Sequence, residues 1–444
     1  MATLMIRGGQ VVNPAGDNGH LDILIEDGVI KKMEPLLFDA ADETIDVGGC
    51  VVSPGFVDVH SHFRDPGQTH KEDILTGAAA AKRGGYTSIV MMANTVPAID
   101  NVETLQYVLE KGRQTGIHIY ACATVTRGMQ GKELVSMAEL KQAGAVGFTD
   151  DGKPLSDPEV AREAMRRVAI LHNTIISFHE EDPAYIETPG YNKGKASEHY
   201  GIGGADREAE IAMIRRDIEM ALESGAQIDI QHISTKEGVE LVREGRRRRE
   251  EALAAMPPSK LPQLSGSTSR KQNIHAEATP HHFSLTEEAA IHYGTLAKMN
   301  PPLRTEEDRQ AIIDGLADGT IEMIATDHAP HSNEEKAKGL TEAPSGIIGL
   351  ETALPLGIMN LVENGAMPLE DLVDRMSTGP ARIYGLDAGV LAPGKAADIV
   401  IFDPDERWVA GNYASKSENT PFTGMSMTGK VKYTICGGKV VYKD

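Results

Sequence analysis

The sequence has little cysteine and no basic excess, and both shortages narrow what the protein can be. Its 444 residues include three cysteines, Cys50, Cys122 and Cys436, which are far apart and form no CxxC pair. So few cysteines exclude a disulfide-rich scaffold and favour a reducing compartment. The formal net charge of −21 argues against a nucleic-acid or anionic-membrane partner, because both are polyanions.

Long apolar runs are also lacking. The opening stretch MATLMIRGGQ is too short and too polar for the apolar part of a signal peptide. No run reaches the roughly 18 apolar residues that a membrane helix needs. The composition, with 41% hydrophobic and 25% charged residues, is typical of a globular chain. We therefore expect a cytoplasmic protein with no membrane partner.

Eight short apolar runs alternate with longer helix-like segments, and each run turns polar at its C-terminal end. Segments such as EDILTGAAAAKRGG and DPEVAREAMRRVAILHN have apolar residues at helical spacing, and Asp157 with Pro158 is a typical helix start. Eight strand–helix units predict an α/β fold, a (β/α)8 TIM barrel. An open doubly wound sheet is the alternative, which the polar strand ends disfavour. The runs are VVSPGFVDVHSH, TSIVMMAN, HIYACATV, AVGFTDDG, TIISFHEE, QIDIQHIST, HAEATPHH and IEMIATDHAP.

Both ends of the chain have strand-like patterns. In the first 52 residues such runs alternate with turns, and IEDGVI is a hairpin signal. Neither end is long enough for a core of its own. We therefore predict one small β-sandwich domain from residues 1–52 and 388–444, beside a barrel domain of residues 53–387. Residues 243–273 are expected to be an inserted surface loop, and the run Arg246–Arg249 within them a solvated face rather than a partner-binding patch.

The segment VDVHSHFRDPG places Asp58, His60, His62 and Arg64 at every second position. On an extended strand such positions point to the same side. A core face would not tolerate four ionisable groups without partners. Ionisable residues also end four later strands, namely Asp151, His179, His232 and Asp327.

Four imidazoles and two carboxylates at one barrel rim indicate a metal site. Such nitrogen and oxygen donors are the ligands that borderline divalent ions such as Zn²⁺ prefer. Six ligands exceed what one tetrahedral ion needs, but they suit two ions that share a bridging carboxylate. A single histidine of this kind would more often be an ordinary core or surface residue. Six such residues at strand ends favour metal binding.

The chain resembles the bacterial type I dihydroorotases, within the cyclic amidohydrolase superfamily, along nearly its whole length. The resemblance implies two zinc ions per subunit, with Asp151 as the bridging carboxylate. Related hydantoinases and allantoinases carry a carboxylated lysine on strand four instead, and AVGFTDD has no lysine, although Lys153 follows closely. The other implied ligands are His60, His62, His179, His232 and Asp327. The motifs that carry the resemblance are PGFVDVHSHFRDPG, MANTVPAID, GFTDDG, HISTKEG, TPHHFSLT, KMNPPLR, ATDHAPH and APSGIIGLETALPL.

The resemblance also implies residues that bind substrate. Arg64 is suited to a substrate carboxylate because a guanidinium offers it two parallel hydrogen bonds. The alternative for Arg64 is a structural ion pair with Asp65 or Glu72. The segment NEEKAKG resembles a flexible segment beside the site, which we expect to move when substrate binds. The implied substrate residues are Arg64, Asn94 and His331 near the carboxylate, Asn300, Ser345 and Gly346 around the pyrimidine ring, and His62, which is also an implied metal ligand.

The implied reaction is the reversible cyclisation of N-carbamoyl-L-aspartate to L-dihydroorotate in pyrimidine biosynthesis, with Asp327 as the proton shuttle. Two alternatives remain open. One is another cyclic amidohydrolase, such as a hydantoinase or an allantoinase. The other is a noncatalytic dihydroorotase-like partner of aspartate carbamoyltransferase, which the filled ligand positions disfavour. The resemblance also allows a homodimer, and a complex of the active enzyme with that transferase.

Overall fold

The computed structural model describes residues 3–256 and 272–444, and the strands in these ranges form three sheets. In chain order they are β1 (Thr3–Arg7), β2 (Gln10–Val11), β3 (Gly19–His20), β4 (Asp22–Glu26), β5 (Val29–Glu34), β6 (Glu43–Asp46), β7 (Val51–Pro54), β8 (Phe56–Ser61), β9 (Tyr86–Met91), β10 (His118–Ala123), β11 (Gly147–Phe148), β12 (Ile175–Phe178), β13 (Ile228–Ile230), β14 (Ile274–Ala278), β15 (Met323–Ile324), β16 (Ile399–Val409), β17 (Ser426–Cys436) and β18 (Lys439–Lys443).

Helices fill the connections between the strands. None of those in the described ranges has the length and apolar character needed to cross a membrane. They are α1 (Ile74–Arg83), α2 (Val102–Gly112), α3 (Met137–Gln142), α4 (Pro158–Ala169), α5 (Lys195–Tyr200), α6 (Glu208–Ser224), α7 (Lys236–Ala255), α8 (Pro280–Ser284), α9 (Glu287–Tyr293), α10 (Glu306–Asp318), α11 (Asn333–Lys336), α12 (Ala353–Gly357), α13 (Leu369–Val373) and α14 (Gly379–Tyr384), with short 3-10 or π turns at Arg127–Met129, Pro183–Tyr185, Gly294–Ala297, Ile358–Val362 and Asp374–Thr378.

The middle of the chain forms the predicted barrel. Strands β8 to β15 pair in parallel and in chain order. The backbone N–H of His62 donates to the carbonyl of His328 at 2.8 Å, which joins the end of the first strand to the segment after the last. Each predicted run contains one of these strands, so the barrel prediction is confirmed. Helix α4 begins as predicted, because the Asp157 side chain accepts the Glu159 N–H and Pro158 is the first helical residue.

The two chain ends form the predicted sandwich. One sheet has the strand order β5-β4-β1-β6, and the other has the order β18-β17-β16-β7-β2-β3, which combines strands from both ends. Ile23 from the first sheet and Ile399 from the second belong to one apolar core. The predicted hairpin joins β4 to β5, with left-handed backbone at Asp27 and Gly28 (φ 50° and 85°). The exact division into residues 1–52 with 388–444 and residues 53–387 remains our proposal.

The run VVSPGFVDVHSH forms two strands rather than the single one we expected. Strand β7 pairs with β16 in the terminal sandwich, whereas β8 pairs with β9 in the barrel. Gly55 lies between them, and a Cβ at this position would be 2.2 Å from the hydroxyl oxygen of Thr87. The chain therefore passes between the two sheets only because residue 55 has no side chain.

The prediction of a surface loop over residues 243–273 is wrong for its first part, because residues 243–255 continue helix α7. Residues 257–271 of the predicted loop lie outside the described ranges. Arg246 donates to the carbonyls of Gly319 and Thr320 at 2.8 and 2.9 Å. Arg248 donates to the carboxylate of Glu219 at 2.8 Å. Because these guanidinium groups are already paired within the chain, the partner-binding alternative for the arginine run loses support.

Asp58 joins the first and last strands of the barrel from within. Its buried carboxylate accepts hydrogen bonds from the Ser61 hydroxyl at 2.5 Å, the Thr326 hydroxyl at 2.6 Å and the Thr326 N–H at 2.9 Å. Burial raises the pKa of Asp58, while the hydroxyl donors oppose that rise. These bonds fix the segment that leads to Asp327 against the strand that carries His60.

We predict that Asp58→Ala lowers the free energy of unfolding by about 2–4 kcal/mol, because it leaves buried donors without an acceptor. Urea denaturation followed by tryptophan fluorescence and circular dichroism measures the effect. Asp405→Ala, at an exposed aspartate, is the matched control and should change little. Equal denaturation midpoints for the two variants would show that Asp58 does not stabilise the barrel.

Candidate metal centre and substrate cavity

All six predicted ligands meet at the C-terminal rim of the barrel. Parallel strands in a closed barrel end on one face, so side chains distant in sequence become neighbours there. Each of the six is buried, which sets them apart from ordinary surface histidines and carboxylates. Their positions are His60 within β8, His62 just after it, Asp151 after β11, His179 after β12, His232 after β13 and Asp327 after β15.

The carboxylate of Asp151 lies among the four imidazoles. Its Oδ1 is 3.5 Å from His60 Nε2, 3.5 Å from His179 Nδ1 and 3.6 Å from His232 Nε2. Its Oδ2 is 3.3 Å from His62 Nε2. The two oxygens therefore face different sets of imidazoles, which is the arrangement a carboxylate needs in order to bridge two cations.

Asp327 also contacts the HxH pair. Its Oδ1 is 3.0 Å from His62 Nε2 and 3.5 Å from His60 Nε2. Two overlapping groups of ligand atoms result, each with its atoms within 4.8 Å of one another: His60, Asp151 and His232, and His60, His62 and Asp327. His179 adjoins the first group, because its Nδ1 is 3.0 Å from His232 Nε2.

The ligand atoms fit a divalent cation. His60 Nε2 is buried and has no hydrogen-bond partner in the described ranges, so a buried polar atom points into the cluster unsatisfied. Imidazole nitrogens and carboxylate oxygens are the donors that Zn²⁺ accepts. The cluster therefore has both the chemistry and the spacing of a metal centre.

Three of the histidines are held by a polar side chain at the ring nitrogen that faces away from the cluster. Such outer contacts fix the tautomer and aim the remaining nitrogen at a metal. The pairs are His60 Nδ1 with Glu277 Oε1 at 2.5 Å, His62 Nδ1 with Asn94 Oδ1 at 2.8 Å, and His179 Nε2 with Glu181 Oε2 at 3.1 Å.

The charges within the cluster stabilise one another. Burial lowers the pKa of His60, but Glu277, Asp151 and Asp327 outweigh burial and raise it well above its ordinary value. Burial raises the pKa of Asp151, yet His60, His179 and other imidazoles lower it well below its usual range. The same balance, dominated by His60 after burial, lowers the pKa of Asp327. Both carboxylates are therefore ionised and available to a cation.

Three residues at the rim have left-handed backbone conformations. The φ angles of Arg64, His232 and Asp327 are 57°, 35° and 45°. For non-glycine residues such conformations raise the conformational free energy by roughly 1–3 kcal/mol, and they cluster at functional sites. Each of the three follows closely after a barrel strand, where the sharp turn redirects its side chain into the site.

A cavity of about 220 Å³ opens above the cluster. All seven predicted substrate residues line it, and they include the ligand His62. Four further ligands line it too, with two residues not predicted, Gly152 and Ala329. Lys153 is exposed and does not line the cavity, so Asp151 supplies the charge at strand four. The predicted substrate residues are His62, Arg64, Asn94, Asn300, His331, Ser345 and Gly346.

The alternative role for Arg64, an ion pair with a neighbouring carboxylate, has no support. Asp65 pairs with Lys111 at 2.6 Å, and Glu72 accepts the backbone N–H of Lys416 at 3.1 Å. Within residues 3–256 and 272–444 neither carboxylate pairs with Arg64. Its guanidinium therefore keeps donors for a ligand in the cavity.

His331 lies between two cations beside the cavity. Its Nε2 is 3.4 Å from Arg64 Nη2, and its Nδ1 is 3.4 Å from Lys71 Nζ. Burial, followed by these two cations, lowers the pKa of His331 far below its ordinary value, so the ring is neutral. Because Lys71 also pairs with Glu335 at 3.0 Å, Arg64 is the cation of this corner that stays available to an anion.

A model of the amidohydrolase family matches residues 51–441. The chain belongs to the amidohydrolase family. It is 48% identical over 443 residues to a dihydroorotase of Clostridioides difficile, covering 99% of each chain. It is 48% identical over 445 residues to a dihydroorotase of Clostridium acetobutylicum, covering 99% of this chain and 100% of that one. Among solved structures, an L-hydantoinase (dihydropyrimidinase) from Arthrobacter aurescens has a TM-score of 0.84 at 26% identity, covering 100% of this chain and 96% of that one.

Two carboxylates that hold the ligands of this amidohydrolase, Glu277 and Glu181, were not predicted from the sequence. Glu277 is fully buried, contacts His60 and also accepts the backbone N–H of His232 at 3.2 Å. The only signal in the sequence is a glutamate inside the strand run HAEATPHH, where an apolar residue would be expected. Glu181, two residues after the ligand His179, was equally inconspicuous.

We predict that Glu277→Gln lowers the affinity of the centre for a divalent cation, with zinc as the probe, about 10–100-fold. The amide is a weaker acceptor for the His60 ring and for the backbone N–H of His232. Titration of the metal-free protein against a chromophoric chelator measures the affinity. Glu322→Gln is the matched control, since the Glu322 carboxylate lies 2.7 Å from Nδ1 of His275, which is not a predicted ligand. Equal affinities in both variants would contradict the assignment.

Proposed function

We propose that this amidohydrolase is a dihydroorotase, which interconverts N-carbamoyl-L-aspartate and L-dihydroorotate. One observation carries the proposal: a guanidinium with unused donors, Arg64, lines the same small cavity as a cluster of buried imidazoles and carboxylates. A cyclic amide that bears a carboxylate needs both features, one for recognition and one for hydrolysis. The name dihydroorotase on relatives that match nearly the whole chain supports the same substrate.

We further propose that the cluster holds two zinc ions per subunit, with Asp151 between them. Its two oxygens face different imidazoles, Oδ1 that of His179 and Oδ2 that of His62, which supports this role. Bound divalent ions would polarise a substrate carbonyl and lower the pKa of a water molecule toward roughly 7. The other residues that would hold the ions are His60, His62, His179, His232 and Asp327.

Arg64 and His331 are proposed to bind the substrate carboxylate. A net charge of −21 repels an anion from most of the surface, so a local cation is required. The guanidinium can form two parallel hydrogen bonds to a carboxylate, and a neutral His331 can donate one more. Asn94 completes this side of the cavity and reaches Asp151 Oδ2 at 3.5 Å through its amide nitrogen.

The opposite wall suits the ring. Asn300 donates to Glu181 at 2.7 Å, which leaves its Oδ1 buried and without a partner in the described ranges. That oxygen is available to a ring N–H. A Cβ at Gly346 would lie 2.8 Å from the Ala329 Cβ and 3.2 Å from His331 Nε2, so a side chain there would fill space that the ring needs.

Asp327 is proposed to transfer the proton. During ring opening, water oxygen adds to the ring carbonyl carbon, and the bond from that carbon to the adjacent ring nitrogen breaks. Asp327 would accept the proton of the water and deliver it to that nitrogen. Its ionised state and its position at the cavity wall support this role.

The alternatives are less well supported. A hydantoinase or allantoinase would need the strand-four lysine, and the related L-hydantoinase is 26% identical against 48% for the dihydroorotases. A noncatalytic partner of aspartate carbamoyltransferase would not need six converging ligands. A homodimer, a complex with that transferase and a cytoplasmic location remain predictions.

We predict that chelator-treated protein loses activity and that zinc restores it with two ions per chain. Metal analysis and turnover of dihydroorotate are measured on the same preparation. Hydantoin and allantoin serve as control substrates and should not be opened. Full activity with one zinc would remove the bridging role of Asp151, and turnover of hydantoin instead of dihydroorotate would overturn the proposed function.

We predict that Asp327→Asn reduces kcat about 10²–10⁴-fold, because an amide cannot accept and return the proton. Metal content must be measured on the same sample, since loss of a ligand would also abolish turnover. Near-normal turnover in a fully metallated variant would exclude Asp327 as the shuttle.

A further inference from the structure

The segment that brings Ser345 and Gly346 to the cavity has little to hold it in place. Residues 337–346 follow helix α11 and form no helix or strand. Most of the first six are exposed, so burial of apolar side chains contributes little to their position. The backbone carbonyls of this segment nevertheless have partners, and two lysines provide them.

Lys298 holds the middle of the segment. Its side chain is buried, and its ammonium group donates to the carbonyls of Leu340 at 2.8 Å, Thr341 at 3.3 Å and Ala343 at 2.7 Å. All three donors of the ammonium group are thereby used. The backbone carbonyl of Lys298 also accepts the N–H of Gly346 at 2.9 Å.

Lys336 holds the end of the segment. It is also buried, and its ammonium group donates to the carbonyls of Pro344 at 2.9 Å and Gly346 at 3.2 Å. The N–H of Gly346 is therefore fixed by the Lys298 carbonyl, and its carbonyl by the Lys336 side chain together with the Asn419 amide, which donates at 3.1 Å.

Two buried lysines without a carboxylate are unfavourable for stability. In the described ranges no ion pair neutralises either one, and burial lowers the pKa of both. For Lys336, burial and then the charge of Lys298 lower the pKa to about 7. Apolar residues of similar length would avoid this cost. Buried lysines without an acidic partner are unusual, and such a pair beside a cavity indicates a functional constraint.

We propose that Lys298 and Lys336 are positioning residues, which hold residues 340–346 in the conformation that forms the ring-binding wall of the cavity. The inference rests on the proposed function, because that function makes Ser345 and Gly346 the residues next to the ring. Without the ammonium groups, water would solvate the carbonyls of the exposed segment, and substrate binding would have to order the wall again.

The test replaces each ammonium group with a neutral side chain of similar length, as in Lys336→Met and Lys298→Met. KM for dihydroorotate should rise about tenfold or more, with kcat changed less than about twofold, because the wall binds substrate without touching the reacting atoms. Zinc content should equal that of the wild type. Lys338→Met is the matched control, since Lys338 is exposed two residues further along.

Hydrogen exchange gives a second readout that does not depend on activity. The backbone amides of residues 340–346, except Pro344, which has none, should exchange about tenfold faster in Lys336→Met than in the wild type or in Lys338→Met. If Lys336→Met does not fold, Lys336→Gln is subjected to both measurements. A KM within twofold of the wild type, or unchanged exchange, overturns the proposal. Wild-type protein that fails to open dihydroorotate refutes the proposed function instead, and the exchange result then decides the role of the lysines alone.

Discussion

The carboxylate of Asp151, held among four imidazoles, is the interaction on which the rest of the structure depends. An isolated buried charge is unfavourable, and only nearby opposite charges or a cation make it tolerable. Histidines from three other strands must therefore end within a few ångströms of one aspartate. A closed parallel barrel satisfies that requirement, because it brings all its strand ends to one rim. Asp58 also helps to bring the ligands together, since it fixes the strand that carries His60 to the segment that carries Asp327.

Around this centre lies a second set of polar side chains that are not metal ligands themselves but orient the ligands and the cavity wall. Glu277, Asn94 and Glu181 orient imidazole rings. Lys298 and Lys336 act in the same way on backbone carbonyls. Such contacts narrow the range of conformations before substrate arrives, which reduces the entropy that binding must cost. The site therefore depends on buried groups that ordinary packing would exclude.

Much of this organisation could be predicted from the sequence, because strands and ligands leave local patterns. The eight runs, the terminal sandwich and the helix start at Asp157 all follow from spacing and capping rules that involve near neighbours. The convergence of the six ligands followed from the barrel once its strands were recognised. The break at Gly55 did not follow, since it depends on the distant side chain of Thr87. Glu277 was missed for the same reason: its partner is 217 residues away.

Gly55 makes the first barrel strand a direct continuation of a strand in the terminal sandwich. That strand, β7, pairs with β16, which is synthesised about 350 residues later, as Val400 opposite Ser53 shows. A nascent chain on the ribosome therefore cannot complete the support of its HxH strand until almost the whole protein has emerged. Long-range pairing of this kind is slow and leaves strand edges exposed in the meantime. A chain that ends after residue 346 would contain every candidate site residue. It would lack β16, the partner of β7, and would therefore not form a stable metal centre.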